Sequence, residues 1–138
     1  DLTRNLRMEF RQESGWQVGE DDLSRRMIGG MNPYVLTLPG APWAYFHSGD
    51  YMGGQIDLRW AANTWLEVGP VTALIALRDP DRIGDDAFGM VWGVGGVVDI
   101  RLQDWQIDLR AGYAPGLRRI HPEQKAWSVL LLVGYGTP

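Results

Sequence analysis

Gln55-Ile56-Asp57-Leu58-Arg59 recurs letter for letter as Gln106-Ile107-Asp108-Leu109-Arg110. Both copies lie in alternating runs: Ile56, Leu58 and Trp60 in the first, Ile107, Leu109, Ala111 and Tyr113 in the second. Successive side chains of an extended strand point to opposite faces, so a period of two reads as β-strand. One face is apolar and the other carries Asp and Arg, a pattern that calls for neighbouring strands with complementary charge. The copies fall in strands expected to run in opposite directions, which argues for convergence on one pattern rather than a tandem duplication.

Working outward, the same alternation marks eight strands, at about 4–13, 25–38, 43–48, 51–60, 65–77, 87–102, 105–117 and 126–136. The first has Leu6, Met8 and Phe10 on one face and Arg7, Glu9, Arg11 and Glu13 on the other. Pro39-Gly40-Ala41-Pro42 and Gln103-Asp104 are turn signals. Segments 15–24, 78–86 and 118–125 read as long connections, whereas 39–42, 49–50, 61–64 and 103–104 are short. The expected fold is all-β: one domain over 1–138, a closed antiparallel up-and-down barrel of about eight strands, with one ragged and one trim end.

The composition supports a single β domain. The 138 residues carry a formal net charge of −4, 18 Gly, 7 Trp and no Cys, which excludes a disulfide scaffold and a generic polyanion binder. Only Lys125 is lysine, against twelve arginines. Arginine suits enclosed, fixed ion pairs, although a GC-rich genome produces the same bias. No stretch approaches the roughly 18 apolar residues of a membrane helix. No basic-then-apolar leader opens the sequence, which leaves open whether a signal peptide preceded Asp1.

Alternation alone does not say which face is inside. Two features favour apolar outside. The second face of the sixth strand is mostly Gly and Val, a poor aqueous surface but a good fit beside long arginines in a narrow interior. Second, Arg7, Glu9, Arg11, Asp57, Arg59, Glu67, Asp99, Arg101, Asp108 and Arg110 share one register, five of each sign, and neutralise one another as lumen charge pairs. Tyr34, Trp43, Trp60, Trp65, Trp105 and Tyr135 cluster toward the trim end as an interface girdle, with Tyr45, Phe88 and Trp127 nearer the other end. Trp65 shares parity with Glu67 and is the exception.

In strands such as Val97-Val98-Asp99-Ile100-Arg101-Leu102, followed by Gln103-Asp104-Trp105, the chain resembles the small eight-stranded outer-membrane barrels of Gram-negative bacteria. The resemblance is architectural and covers most of the chain. It implies an outer-membrane location and contact with the lipid bilayer or lipopolysaccharide. Those proteins usually end their last strand on an aromatic residue; here Tyr135 is followed by Gly136-Thr137-Pro138.

Chemistry is sparse. Phe10-Arg11-Gln12-Glu13-Ser14 is faintly similar to the Phe-x-His-x-Ser strand of lipid A deacylases, but Gln12 stands where the catalytic histidine belongs, so Ser14 has no activating base. His47 and Ser48, with Asp50, are adjacent on a strand and point to opposite faces, which prevents a nucleophile-base bond. His121 is a lone loop histidine. Asp79, Asp81 and Asp85 begin like a calcium loop, yet Ile83 and Met90 occupy ligand positions. No cofactor motif, zinc spacing or nucleic-acid patch is present.

The reading that follows is a non-enzymatic outer-membrane barrel with a structural, scaffold or surface-interaction role through its longer loops, too narrow for a pore. Other envelope subunits are candidate partners, and the short third strand allows a subunit completed by neighbours. The alternatives are a soluble barrel holding an apolar ligand, and a lipid-modifying enzyme.

Overall fold

The computed structural model describes residues 5–16, 26–28, 37–41, 46–48, 50–78, 88–120, 122–123 and 125–136. Its elements are β1 (Leu6–Gly15), β2 (Arg26–Ile28), β3 (Phe46–Ser48), β4 (Tyr51–Ala61), β5 (Leu66–Arg78), β6 (Phe88–Leu102), β7 (Trp105–Tyr113), α1 (Pro115–Ile120) and β8 (Trp127–Tyr135). Six strands form one antiparallel sheet in the order β1-β4-β5-β6-β7-β8, and β2 and β3 pair with each other.

The expected closed eight-stranded meander is thus corrected. Among the described residues the main sheet has six strands and is not closed: β1 and β8 are its two ends. Strand β1 passes over β2 and β3 to pair with β4, from Leu6↔Trp60 to Gly15↔Tyr51. Pro39 lacks a ladder donor, and Thr37, Leu38, Pro39, Gly40 and Ala41 are buried beneath the sheet instead of extending it. The seventh strand ends at Tyr113 rather than 117, because Pro115 opens the short helix α1, where a missing N–H costs nothing.

A flat six-stranded sheet would separate its end strands by about 24 Å at about 4.8 Å per strand. Here Arg7, Glu9 and Arg11 of β1 and Leu132 of β8 line one cavity, so the sheet is strongly curled. Within the curl lie two compartments. Leu38, Ala41, Phe46, Tyr51, Ile75, Leu77, Val91, Ala114, Leu117 and Ala126 form an apolar core at one end. Charged side chains fill the other.

The buried segment is seated by backbone and polar contacts across the sheet. Thr37 donates through its N–H and its hydroxyl to Oε1 of Gln55 on β4, at 3.1 and 3.0 Å. The N–H of Gly40 donates to Oγ of Ser128 on β8 at 3.2 Å. Gly40 has φ +89° and lies against the backbone of Tyr113 and Ala114, a position no other residue type fills easily. Gly93 of β6 faces it: a Cβ there would sit 2.1 Å from the carbonyl oxygen of Pro39.

Gly93→Ala is therefore expected to lose about 1–3 kcal/mol by forcing the segment off the sheet. Gly96→Ala, on the outer face with its nearest neighbour at 3.8 Å, is expected to stay within about 0.5 kcal/mol. Equilibrium unfolding of the two variants checks the difference.

Candidate functional site

Strand parity divides the sheet into two faces of different chemistry. On the convex face β1 presents Leu6, Met8 and Phe10, and β4 presents Met52, Ile56, Leu58 and Trp60. β5 adds Leu66, Val68 and Leu74; β6 adds Phe88, Met90, Trp92, Val94, Val98, Ile100 and Leu102. β7 contributes Trp105, Ile107, Leu109 and Tyr113, and β8 Trp127, Val129, Leu131, Val133 and Tyr135. Arg78, at the very end of β5, is the one charged residue in this register. Even the hydroxyl of Thr72 turns back to the carbonyl of Gly93, at 3.2 Å.

The ten charged residues named from the sequence meet on the concave face. Arg7, Glu9, Arg11, Asp57, Arg59, Asp99, Arg101, Asp108 and Arg110 border a cavity of about 460 Å³. Glu67 reaches Arg7 at 3.7 Å and Arg101 at 3.5 Å. Asp57, Arg59, Asp99, Asp108 and Arg110 are buried.

Their pairing differs from the complementary-strand expectation. Residues directly opposite one another carry like charge: Arg7↔Arg59 and Glu9↔Asp57 between β1 and β4, Glu67↔Asp99 between β5 and β6, Asp99↔Asp108 between β6 and β7. The opposite charge lies two residues along the same strand. Arg11 meets Glu9 at 2.6 Å, Arg59 meets Asp57 at 3.7 Å and Arg101 meets Asp99 at 3.4 Å. Arg110 grips both oxygens of Asp108, at 2.7 and 2.9 Å, a bidentate, charge-assisted pairing. Carboxylates and guanidinia therefore form alternating rows across the sheet, and each row screens the like-charge repulsion within its neighbour.

The glutamines of the repeated pentapeptide belong to this network and escaped notice in the sequence. Gln55 donates to Oδ1 of Asp57 at 2.9 Å, and Gln106 to Oδ2 of Asp99 at 3.1 Å. The signal was present, since Gln-x-Asp-x-Arg places all three on one face. Three buried polar atoms keep no hydrogen-bond partner among the described residues: Nε of Arg59, Oε2 of Glu67 and Oδ1 of Asp99. The last two stand within ion-pair range of arginine but beyond hydrogen-bond geometry.

The remaining candidates scatter. Trp60, Trp65, Trp105 and Tyr135 are all exposed toward the end carrying turns 62–65 and 103–104. Trp105 and Tyr135 are cross-strand partners with ring centroids 4.9 Å apart. Trp65 sits in the turn before β5, so its parity with Glu67 has no consequence. Tyr34, Trp43, Asp79, Asp81, Asp85 and His121 lie outside the described residues. Among the described residues no cluster of His, Asp and Glu is arranged to hold a metal ion. Ser14 is exposed on the outer register of β1, away from the charged cavity. Ser48 is buried, its hydroxyl within 2.7 and 2.6 Å of the carbonyls of Asp50 and Arg78, which makes it a turn fastener rather than a nucleophile.

With this geometry in hand, comparison with known protein families, curated proteins and solved structures finds no match to the chain.

Removing Arg110 alone, as in Arg110→Met, strands a buried carboxylate and is expected to cost about 3–5 kcal/mol. Adding Asp108→Leu to it is expected to restore most of that loss. Chemical denaturation of the single and double variants provides the measurement.

Proposed function

We propose that the chain is a non-catalytic β-sheet protein of a bacterial outer membrane, its convex face turned to lipid, with a structural or surface-interaction role. The observation that carries this reading is the inverted burial. Soluble monomers rarely expose apolar patches beyond a few hundred Å², yet here Met8, Phe10, Met90, Trp127, Val129, Leu131 and Tyr135 are each more than half exposed. Buried places go to Asp57, Arg59, Asp99, Asp108 and Arg110 instead. Hydrocarbon is the solvent in which that distribution lowers free energy.

The aromatic pairs fit the same solvent. Tyr113↔Trp127 closes one end of the β7–β8 ladder and Trp105↔Tyr135 the other. The eight steps between them span about 26 Å along the strand at about 3.3 Å per residue, near the apolar band of about 25 Å in outer-membrane β proteins. Both end strands border the charged cavity, and irregular or edge backbone is tolerated at membrane depth where it lines a water-filled cavity. Leu38, Phe46 and Leu117, at 0% exposure, fill the far end and argue against a pore.

Within this reading the first partner is the bilayer or lipopolysaccharide, and other envelope subunits are met through segments at the sheet ends. A soluble protein with an apolar ligand inside would need apolar walls where the charge rows stand. A lipid-modifying activity finds no activated nucleophile among the described residues.

Flotation with liposomes tests the placement: the protein is expected to float with the vesicles, and full recovery in the aqueous fraction as a detergent-free monomer would sink it. Leu131→Arg, midway along β8 on the convex face, is expected to cost about 2–4 kcal/mol in a bilayer. In water the same change at an exposed position would stay within about 0.5 kcal/mol.

A further inference from the structure

We propose that the charged cavity binds the headgroup of a zwitterionic phospholipid, a phosphodiester bearing a primary ammonium, entering past the rim of β8 beside β1. This inference rests on the membrane reading and adds a ligand to it.

The cavity holds two unmet demands of opposite sign. Nε of Arg59 is a donor without an acceptor, on a side chain only 8% exposed. Oδ1 of Asp99, on a side chain 6% exposed, faces Nε of Arg101 at 3.4 Å but accepts no hydrogen bond. Both residues line the same space. A phosphodiester oxygen answers the first and an ammonium the second. The cavity is lined by five arginines and four carboxylates, and Glu67 behind Arg7 and Arg101 brings the set to balance, so a ligand carrying one of each sign leaves that balance intact, whereas a purely anionic one disturbs it.

Size and rim point the same way. At about 460 Å³ the cavity falls within the range of about 300–1,000 Å³ typical of small-molecule sites. Its border changes character at β8, where Leu132 and Val133 take over from the charged rows. Leu132 is 37% and Val133 56% exposed, and Met8 and Phe10 lie on the outer face of β1. A polar floor beneath an apolar mouth on a lipid-facing surface is the complement of an amphiphile.

The test uses the full chain in uncharged maltoside micelles, titrated with short-chain phosphatidylethanolamine, with short-chain phosphatidylglycerol and with soluble phosphoethanolamine. Nitrogen-edited spectra of the arginine side chains report binding. The expected result is saturable binding of one phosphatidylethanolamine per chain, displacement of the Arg59 Nε–H resonance, and affinity at least tenfold above that for phosphatidylglycerol. Asp99→Asn is expected to weaken phosphatidylethanolamine at least tenfold. Leu132→Trp, which narrows the mouth beside Asp108 while leaving every charged residue in the sequence, is expected to weaken the lipid tenfold while sparing soluble phosphoethanolamine.

Equal affinity for the two lipids, or unchanged affinity in folded Asp99→Asn, overturns the proposal. Binding of soluble phosphoethanolamine without the lipid overturns the lipid as its source. These failures differ from that of the membrane reading, which is decided by flotation alone: a protein that floats but shows no lipid preference lacks this site and remains a membrane protein.

Discussion

A carboxylate under a curled sheet survives only if a cation is within reach, and for Glu9, Asp57, Asp99 and Asp108 the cation stands two residues along the same strand. Asp108 with Arg110 is the best-formed case, bidentate and almost wholly buried. Asp57 with Arg59 and Asp99 with Arg101 repeat the spacing more loosely. Much of the remaining arrangement follows from this local rule. Because strand partners place like charges opposite one another, the rows alternate in sign, and the concave side becomes a compact lattice rather than a set of isolated bridges. Such a lattice leaves the apolar half of every strand with one direction to face, which is outward.

The second constraint is volume. Charge rows fill one end of the curl, and the other end must be filled by something that can turn beneath a sheet. The stretch from Thr37 to Ala41 does this with its own backbone, held by Gln55 and Ser128. Gln55 joins the two compartments: its carbonyl oxygen receives the buried segment and its amide donates to Asp57, the first carboxylate of the lattice. Charge order and core packing are coupled through that one side chain.

How much of this could be read from the amino acids depends on the range of the interaction. Long alternating runs such as 51–60 and 87–102 are local patterns, and the structure places β4 and β6 within a residue of those spans. The convergence of the ten charged side chains was equally accessible, because parity alone puts Asp57 and Arg59 on one face. The closure and strand count were not. The run 25–38 alternates like a strand, yet among its described residues only Arg26–Ile28 is one, paired with β3, while β4 takes the edge of β1 over its whole length. Helix α1 was hidden for a simpler reason, since six residues starting at Pro115 are too few for a periodic signal.

Pairing within strands has a further consequence, for assembly. Counted over its own span, β1 carries Arg7, Glu9, Arg11 and Glu13; β4 carries Asp57 and Arg59; β5 carries Glu67 and Arg78; β6 carries Asp99 and Arg101; β7 carries Asp108 and Arg110; and β8 carries nothing ionised. Every strand of the sheet is therefore electrically neutral by itself, and the whole formal charge of −4 resides outside the sheet. Burying a charge away from water is tolerable only with its counter-charge alongside. Strands β1, β4, β6 and β7 thus carry their counter-charges two residues away, whereas Glu67 of β5 gains its cations only when Arg7 and Arg101 of other strands are in place.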